Sequence, residues 1–132
     1  MEPANLFSTY LKLKPNATIE HLPVDDQFWT RLGSGEWGNF HNEYLVSCTR
    51  YETDWNQWEM HPCGDELVIL LSGSVRFILE MAGHPTPIDL NQACRFVRVP
   101  MGTWHTAKVQ APSTLLFITA GEGTQHRPLK AS

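Results

Sequence analysis

Apolar and polar residues alternate in short runs along this chain, and the alternation predicts β-strands rather than helices from residue 44 onward. The clearest run is 75–81, where every second side chain is apolar while Arg76 and Glu80 fall on the other face. Short strands separated by turn residues favour a sandwich or barrel over a βαβ fold. The predicted strands cover residues 44–51, 66–71, 75–81, 96–99 and 115–119.

Before residue 44, prolines and glycines leave room only for short elements, and one helix is predicted over 25–32, with an acidic start and Gly33 as its stop. Ser72-Gly73 lies between two apolar runs and predicts a hairpin connection there, because glycine adopts positive φ without strain. The polar tail after Gly121 is predicted to be a frayed end.

The composition narrows the function classes. The chain has 132 residues, which fits one domain, and a net charge of -4 with no block of Lys and Arg, so we expect no nucleic-acid partner. Its longest apolar run, 67–71, is far shorter than a membrane helix needs, and no apolar leader is visible, so we expect a cytoplasmic protein without a membrane partner. The three cysteines lack CxxC spacing, which suits a reducing compartment.

The run 67–71 is apolar on both strand faces, so one face can fill an interior and the other needs a cover. The N-terminal segment or a second subunit could supply that cover. We take the second as a prediction of a homodimer.

Four side chains form the candidate site, namely Glu59, His61, Glu66 and His105. Glu59 and His61 are two residues apart, so on a strand they project from one face. The turn-forming residues 62–65 let Glu66 enter the next strand on the inner face, and residues 100–102 do the same before His105. Two carboxylates and two imidazoles are the oxygen and nitrogen donors that a divalent cation takes.

The spacing of these residues resembles two motifs of the cupin superfamily. The first motif runs glycine, five residues, His-x-His, four residues, Glu, six residues, Gly, and His61, Glu66 and Gly73 match its second half. The second motif contains Pro-x-Gly-x-x-His, which Pro100, Gly102 and His105 match.

The chain departs from both motifs. Glu59 stands where the first motif has its leading histidine, which changes the ligand set. The motif glycine positions hold Thr53 and Cys94, and the trailing asparagine position holds Val109, which affect turns and support around the site.

The resemblance implies an all-β, double-stranded β-helix (a cupin or jelly-roll barrel) with a short N-terminal helix. We predict a single domain with an N-terminal extension over 1–40 that packs on the barrel, a cupin barrel over 41–121 and a C-terminal tail over 122–132. The resemblance also implies a divalent ion (Fe, Mn, Ni or Zn) held by Glu59, His61, Glu66 and His105.

Two alternatives stay open at the site. Glu59 is either a fourth ligand or a free carboxylate acting as a general base, that is, a catalytic residue. The barrel could also have lost metal binding together with the leading histidine, leaving Glu59 and Glu66 as polar groups at a solvated mouth.

A small-molecule substrate or ligand is the expected partner, with an apolar wall contributed by Trp55, Trp58, Met101, Trp104 and Phe117. The first functional hypothesis is a metal-dependent enzyme with oxygenase-type chemistry, and isomerisation is equally compatible with the sequence. The others are a non-catalytic binding or sensing cupin and a structural metal barrel. We assign no role to His21, His41, His84 and His126.

Overall fold

A computed structural model describes residues 2–130, which form nine strands and one short helix. In chain order they are β1 (Thr9–Leu13), β2 (Ile19–Pro23), α1 (Phe28–Gly33), β3 (Tyr44–Tyr51), β4 (Gln57–Met60), β5 (Glu66–Met81), β6 (His84–Leu90), β7 (Phe96–Val99), β8 (His105–Thr119) and β9 (Gln125–Pro128). Within these residues no helix has the length and apolar character that crossing a membrane requires.

Two long antiparallel strands, β5 and β8, pair along their whole lengths and run through both halves of the barrel. The start of β5 pairs with β7 and with the end of β8, which continues through β3 and β1 to β2. The end of β5 pairs with β6 and with the start of β8, which continues through β4 to β9. The predicted double-stranded β-helix with a short N-terminal helix is confirmed.

The main core lies between these two halves and consists of alternate side chains of the long strands and their neighbours: Val68, Leu70, Val75, Phe77, Leu79, Val97, Val99, Leu115 and Phe117. A second cluster joins the N-terminal strands and the helix to the same structure, through Tyr10, Leu22, Phe28, Phe40 and Leu45. The helix begins at Phe28, three residues later than predicted, because the Asp25 carboxylate accepts a hydrogen bond from the Gln27 amide and forms a turn first.

The predicted hairpin at Ser72-Gly73 is wrong, because β5 is one continuous strand through this point. Gly73 does adopt positive φ, at 98°. The pairing of β5 with β8 shifts register here, and a Cβ on Gly73 would lie 2.2 Å from Ser113 Oγ. The glycine therefore allows the paired strands β5 and β8 to approach closely at an irregularity in their pairing, and the chain does not reverse there.

The strands predicted over 44–51 and 96–99 are confirmed as β3 and β7, whereas 115–119 is only the last third of β8. The prediction of a frayed C-terminal end is wrong, because β9 pairs with β4 from Gln57↔Pro128 to Met60↔Gln125. Its four residues include a proline and no apolar run, so periodicity alone gives no strand signal there.

Candidate metal centre

The structure brings the four predicted ligand residues together. Glu59 lies in β4, His61 directly follows that strand, and Glu66 and His105 are the first residues of β5 and β8. Each offers one donor atom, and these atoms all lie within 4.8 Å of one another. Glu59 and His105 are direct cross-strand partners, so the pairing of β4 with β8 itself sets two of the four.

Two turns hold the ligand-bearing strands in place. The turn after His61 passes so close to the end of β8 that a Cβ on Gly64 would lie 2.4 Å from the Ala120 Cβ. The second turn is tied to the first, because the Gly102 amide donates to the His61 carbonyl at 2.9 Å and the Met101 amide donates to the Asp65 carboxylate at 2.8 Å. Gly64 and the turn containing Met101 and Gly102 therefore help to fix His61 and Glu66 relative to His105.

The Nδ1 atoms of both imidazoles face oxygen acceptors. His105 Nδ1 lies 3.0 Å from the Thr103 carbonyl, which can only accept. His61 Nδ1 lies 2.8 Å from Thr124 Oγ1, whose own hydrogen is donated to the Gly121 carbonyl at 2.8 Å. Both Nδ1 atoms therefore carry the proton, and in the neutral rings both Nε2 atoms present a lone pair.

The Nε2 atoms point into a cluster of carboxylate oxygens. His61 Nε2 lies 3.1 Å from Glu59 Oε1 and 3.2 Å from Glu66 Oε2, and His105 Nε2 lies 3.1 Å from Glu66 Oε1.

These contacts are close but not aligned as hydrogen bonds. Among residues 2–130, the buried atoms His61 Nε2, His105 Nε2 and Glu66 Oε1 have no hydrogen-bond partner. Leaving buried polar atoms without a partner is costly, and a cation between them would satisfy all three. The donor set therefore fits a divalent metal ion.

The electrostatics agree with a site for a cation. Burial by itself raises the pKa of Glu66, but the two histidines outweigh it and lower the pKa to about 2. Burial lowers the pKa of His61, but the Glu59 and Glu66 carboxylates outweigh it and raise the pKa to about 9. Both carboxylates favour positive charge in the middle of the cluster, and their combined charge of about -2 matches that of a divalent ion.

Sequence reasoning missed three side chains that support the cluster. Thr124 contacts His61, as described above, and Thr119 Oγ1 donates to Glu66 Oε2 at 2.6 Å. At the exposed rim, His126 Nε2 lies 3.4 Å from Glu59 Oε2. Thr124 lies in the turn before β9 and His126 lies on that strand, and the local sequence gives no strand signal for this segment.

The predicted apolar wall is only partly at the site. Phe117 is buried, and its ring lies 6.2 Å from the ring of Trp55, which in turn lies 5.9 Å from His105. The side chain of Met101 is 60% exposed.

The structure does not bring Trp58 and Trp104 to the cluster. Their rings lie 5.2 Å and 4.6 Å from the guanidinium of Arg127. Arg127 follows His126 on β9 and so faces the opposite side of the strand from the cluster.

Comparisons with known proteins give a fold. No family model and no curated protein matches the sequence. Solved structures do match, among them a cupin-2 domain protein from Shewanella frigidimarina NCIMB 400, with TM-score 0.50 and 20% identity over 60% of this chain and 72% of that one. The chain has the cupin fold.

Two further cupins of known activity match this chain. The oxalate decarboxylase of Bacillus subtilis gives TM-score 0.54 and 20% identity over 65% of this chain and 24% of that one. A hydroquinone 1,2-dioxygenase, PnpCD, bound to Cd²⁺ and 4-hydroxybenzonitrile, gives TM-score 0.50 and 20% identity over 58% of this chain and 56% of that one. This chain thus spans about a quarter of the decarboxylase and just over half of the dioxygenase.

Proposed function

We propose that this protein is a small metal-binding cupin that holds one divalent ion with Glu59, His61, Glu66 and His105. The observation that carries the proposal is the convergence of imidazole Nε2 and carboxylate oxygen atoms, with His61 Nε2 3.1 Å from Glu59 Oε1 and 3.2 Å from Glu66 Oε2, and His105 Nε2 3.1 Å from Glu66 Oε1. Among residues 2–130, both Nε2 atoms and Glu66 Oε1 are buried without a hydrogen-bond partner. Lone pairs that face one another in a buried site are stabilised by a positive charge between them, a proton on His61 in the metal-free protein and a divalent ion when metal is bound.

The donor set narrows the choice of metal. Two imidazoles and two carboxylates without a thiolate favour Fe, Mn, Ni or Zn over softer ions. The matched oxalate decarboxylase contains Mn(II) centres, and the matched dioxygenase was solved with Cd²⁺. Glu59 in place of a histidine adds negative charge, which shifts the preference toward the harder members of this group.

We further propose that the protein is an enzyme acting on a small organic molecule, with oxygenase-type chemistry as the first candidate. A divalent ion bound here would act as a Lewis acid toward a substrate oxygen. Glu59 is the most exposed of the four side chains, and its Oε2 faces the rim, so it can accept a proton from a molecule entering there. The rings of Trp55 and Phe117 exclude water on the inner side.

A structural metal barrel is the second candidate, and the burial of the donor atoms favours it. His61, Glu66 and His105 are all at most 4% exposed, so an ion bound to them would reach solvent only past Glu59. A structural ion ties strands together and raises the melting temperature without leaving an exchangeable position. A non-catalytic binding or sensing barrel would instead exchange ligands at the ion without turnover.

Metal content tests the first proposal. The wild type, His61→Ala and His84→Ala are purified without a metal-affinity column, and their metal content is measured by elemental analysis. His84→Ala is the control, because it also replaces a histidine by alanine but at an exposed position on β6. We expect about one ion per chain in the wild type and His84→Ala, and none in His61→Ala. An absence of metal in all three would contradict the proposal.

Ligand exchange separates an enzyme from a structural site. An iron-loaded, reduced sample is exposed to nitric oxide and followed by electron paramagnetic resonance. A new signal from nitric oxide bound to the ion is the expected result for an enzyme. An unchanged spectrum, together with a large drop in melting temperature on chelation, would favour the structural barrel.

We also propose that a homodimer covers the outer face formed by the start of β5 and by β7. Ile69 pairs with Phe96 and Leu116 across this face, and Phe96 is 61% exposed. Light scattering of the wild type and of Phe96→Glu tests it: we expect a dimer that the variant weakens. A wild-type monomer at high concentration would contradict it.

A further inference from the structure

We propose that Thr124 is a positioning residue for His61, and that the C-terminal arm carrying it, residues 121–128, completes the metal site. The inference rests on the proposed metal binding but concerns a residue outside the ligand set. Among residues 2–130, the Thr124 hydroxyl forms hydrogen bonds with His61 and Gly121, so it would influence a bound ion through the His61 ring.

The direction of the hydroxyl hydrogen gives Thr124 this role. Thr124 Oγ1 donates to the Gly121 carbonyl at 2.8 Å, inside the same turn. Having one hydrogen, the hydroxyl can then only accept at the 2.8 Å contact with His61 Nδ1. The arm therefore selects the ring form with the proton on Nδ1, so that Nε2 is free for the ion.

The two imidazoles differ in how local their Nδ1 acceptors are. The acceptor for His105 Nδ1 is the Thr103 carbonyl, two residues away in the same turn. The acceptor for His61 lies 63 residues away in sequence and is present only when the C-terminal arm is docked. Metal affinity and docking of the arm should therefore be linked.

The arm is held from the outside of the barrel. Among the strands that the structure describes, β9 pairs with β4 alone, at the edge of the sheet, so strand pairing holds it on one side. The Arg127 guanidinium stacks on the rings of Trp58 and Trp104 and pairs with the Glu80 carboxylate. Successive side chains thus alternate in use: Thr124 and His126 face the site, while Arg127 fixes the arm.

Three variants test the inference in the full chain. Thr124→Val keeps the shape and removes the hydroxyl, and Thr124→Ser keeps the hydroxyl. Thr106→Val is the control. Thr106 is buried, whereas Thr124 is half-buried, but its hydroxyl likewise donates to a carbonyl, that of Gln57, and it directly follows His105 without a hydrogen bond to that imidazole. Affinity for Co²⁺ is measured by titrating its visible absorption.

We expect Thr124→Val to weaken Co²⁺ binding about tenfold or more, the usual effect of losing such support, while Thr124→Ser and Thr106→Val bind like the wild type. The melting temperatures of metal-free Thr124→Val and Thr106→Val should be similar. Equal Co²⁺ affinity in Thr124→Val and the wild type, or equal weakening in Thr124→Val and Thr106→Val, would overturn the inference.

A second measurement needs no metal. In the metal-free, ¹⁵N-labelled wild type we expect a slowly exchanging imidazole Nδ1–H signal that disappears in His61→Ala and exchanges faster in Thr124→Val. If the wild type shows this signal but binds no Co²⁺, the metal proposal fails and the positioning role stands. If the wild type binds Co²⁺ but Thr124→Val leaves the signal and the affinity unchanged, only the positioning role fails.

Discussion

Replacing Gly73 by alanine tests how closely β5 and β8, the strands that begin with Glu66 and His105, approach each other where their pairing shifts register. Gly73 has φ at +98°. A Cβ there would lie 2.2 Å from Ser113 Oγ and 2.5 Å from the Pro112 carbonyl oxygen. The carbonyl belongs to the backbone of β8, so it cannot swing away as a flexible side chain would.

The cost has two parts. Left-handed backbone in a residue with a Cβ costs about 1–2 kcal/mol. Forcing extra volume into a filled site costs about 1–3 kcal/mol more. We therefore expect Gly73→Ala to lower the free energy of unfolding by about 2–5 kcal/mol, a large share of the stability of a domain of this size.

Gly83→Ala is the matched control, because Gly83 also has positive φ, at +78°, but a Cβ added there would meet no atom within 4 Å. Gly83→Ala should lower the free energy of unfolding by the backbone cost alone. The difference in free energy of unfolding between the two variants then gives the cost of the steric contact between β5 and β8 at Gly73. Urea unfolding with chelator present measures both, and unchanged m-values keep the comparison valid. Equal destabilisation of the two variants would refute the close approach of β5 and β8 at Gly73.

Three further predictions concern the site and its arm. Because the carboxylates raise the pKa of His61 to about 9 in the metal-free protein, an ion must displace a proton below that pH. The affinity for metal should then rise about tenfold per pH unit toward pH 9, and calorimetry in two buffers of different ionisation enthalpy should show that binding releases a proton. A metal affinity that does not change with pH would contradict this. Glu66→Gln keeps the volume of the side chain but replaces the carboxylate by a neutral amide. We expect this variant to lose stoichiometric metal while its circular dichroism spectrum is unchanged, and a full metal content would exclude Glu66 as a ligand. Arg127→Ala should loosen the arm, so that the β9 amides exchange faster and Co²⁺ binds more weakly; unchanged protection of β9 would show that Arg127 does not hold it.

The sequence predicted that Glu59, His61, Glu66 and His105 converge, because local turns fix their spacing. Pro62 and Pro100 fix φ, and Gly64 and Gly102 permit the close or left-handed turns that follow, so the residues after each turn enter strands at defined places. The same local reasoning failed at Gly73. A Ser-Gly pair in which the glycine has positive φ suits a hairpin turn and a close approach of two paired strands equally. Only the position of Ser113, forty residues away in sequence, decides between them.

The support around the site could not be predicted from local pattern. Thr124 and His126 reach the cluster through the pairing of β9 with β4, which joins residues almost seventy positions apart. The positions of Trp58 and Trp104 were within reach of sequence reasoning. Each precedes a ligand residue directly, and neighbours on a strand point to opposite faces, so closeness in sequence to Glu59 and His105 argued against a place in the site.

Anomalous diffraction from crystals of the wild-type protein, with data collected on both sides of the absorption edge of the bound metal, tests the central claim most directly. We predict one strong peak at roughly 2.0–2.2 Å from Nε2 of His61, Nε2 of His105 and a Glu66 oxygen, and its distance from Glu59 shows whether that carboxylate is a ligand. A peak bound only to exposed histidines such as His84, or no peak between the four side chains, would contradict the account.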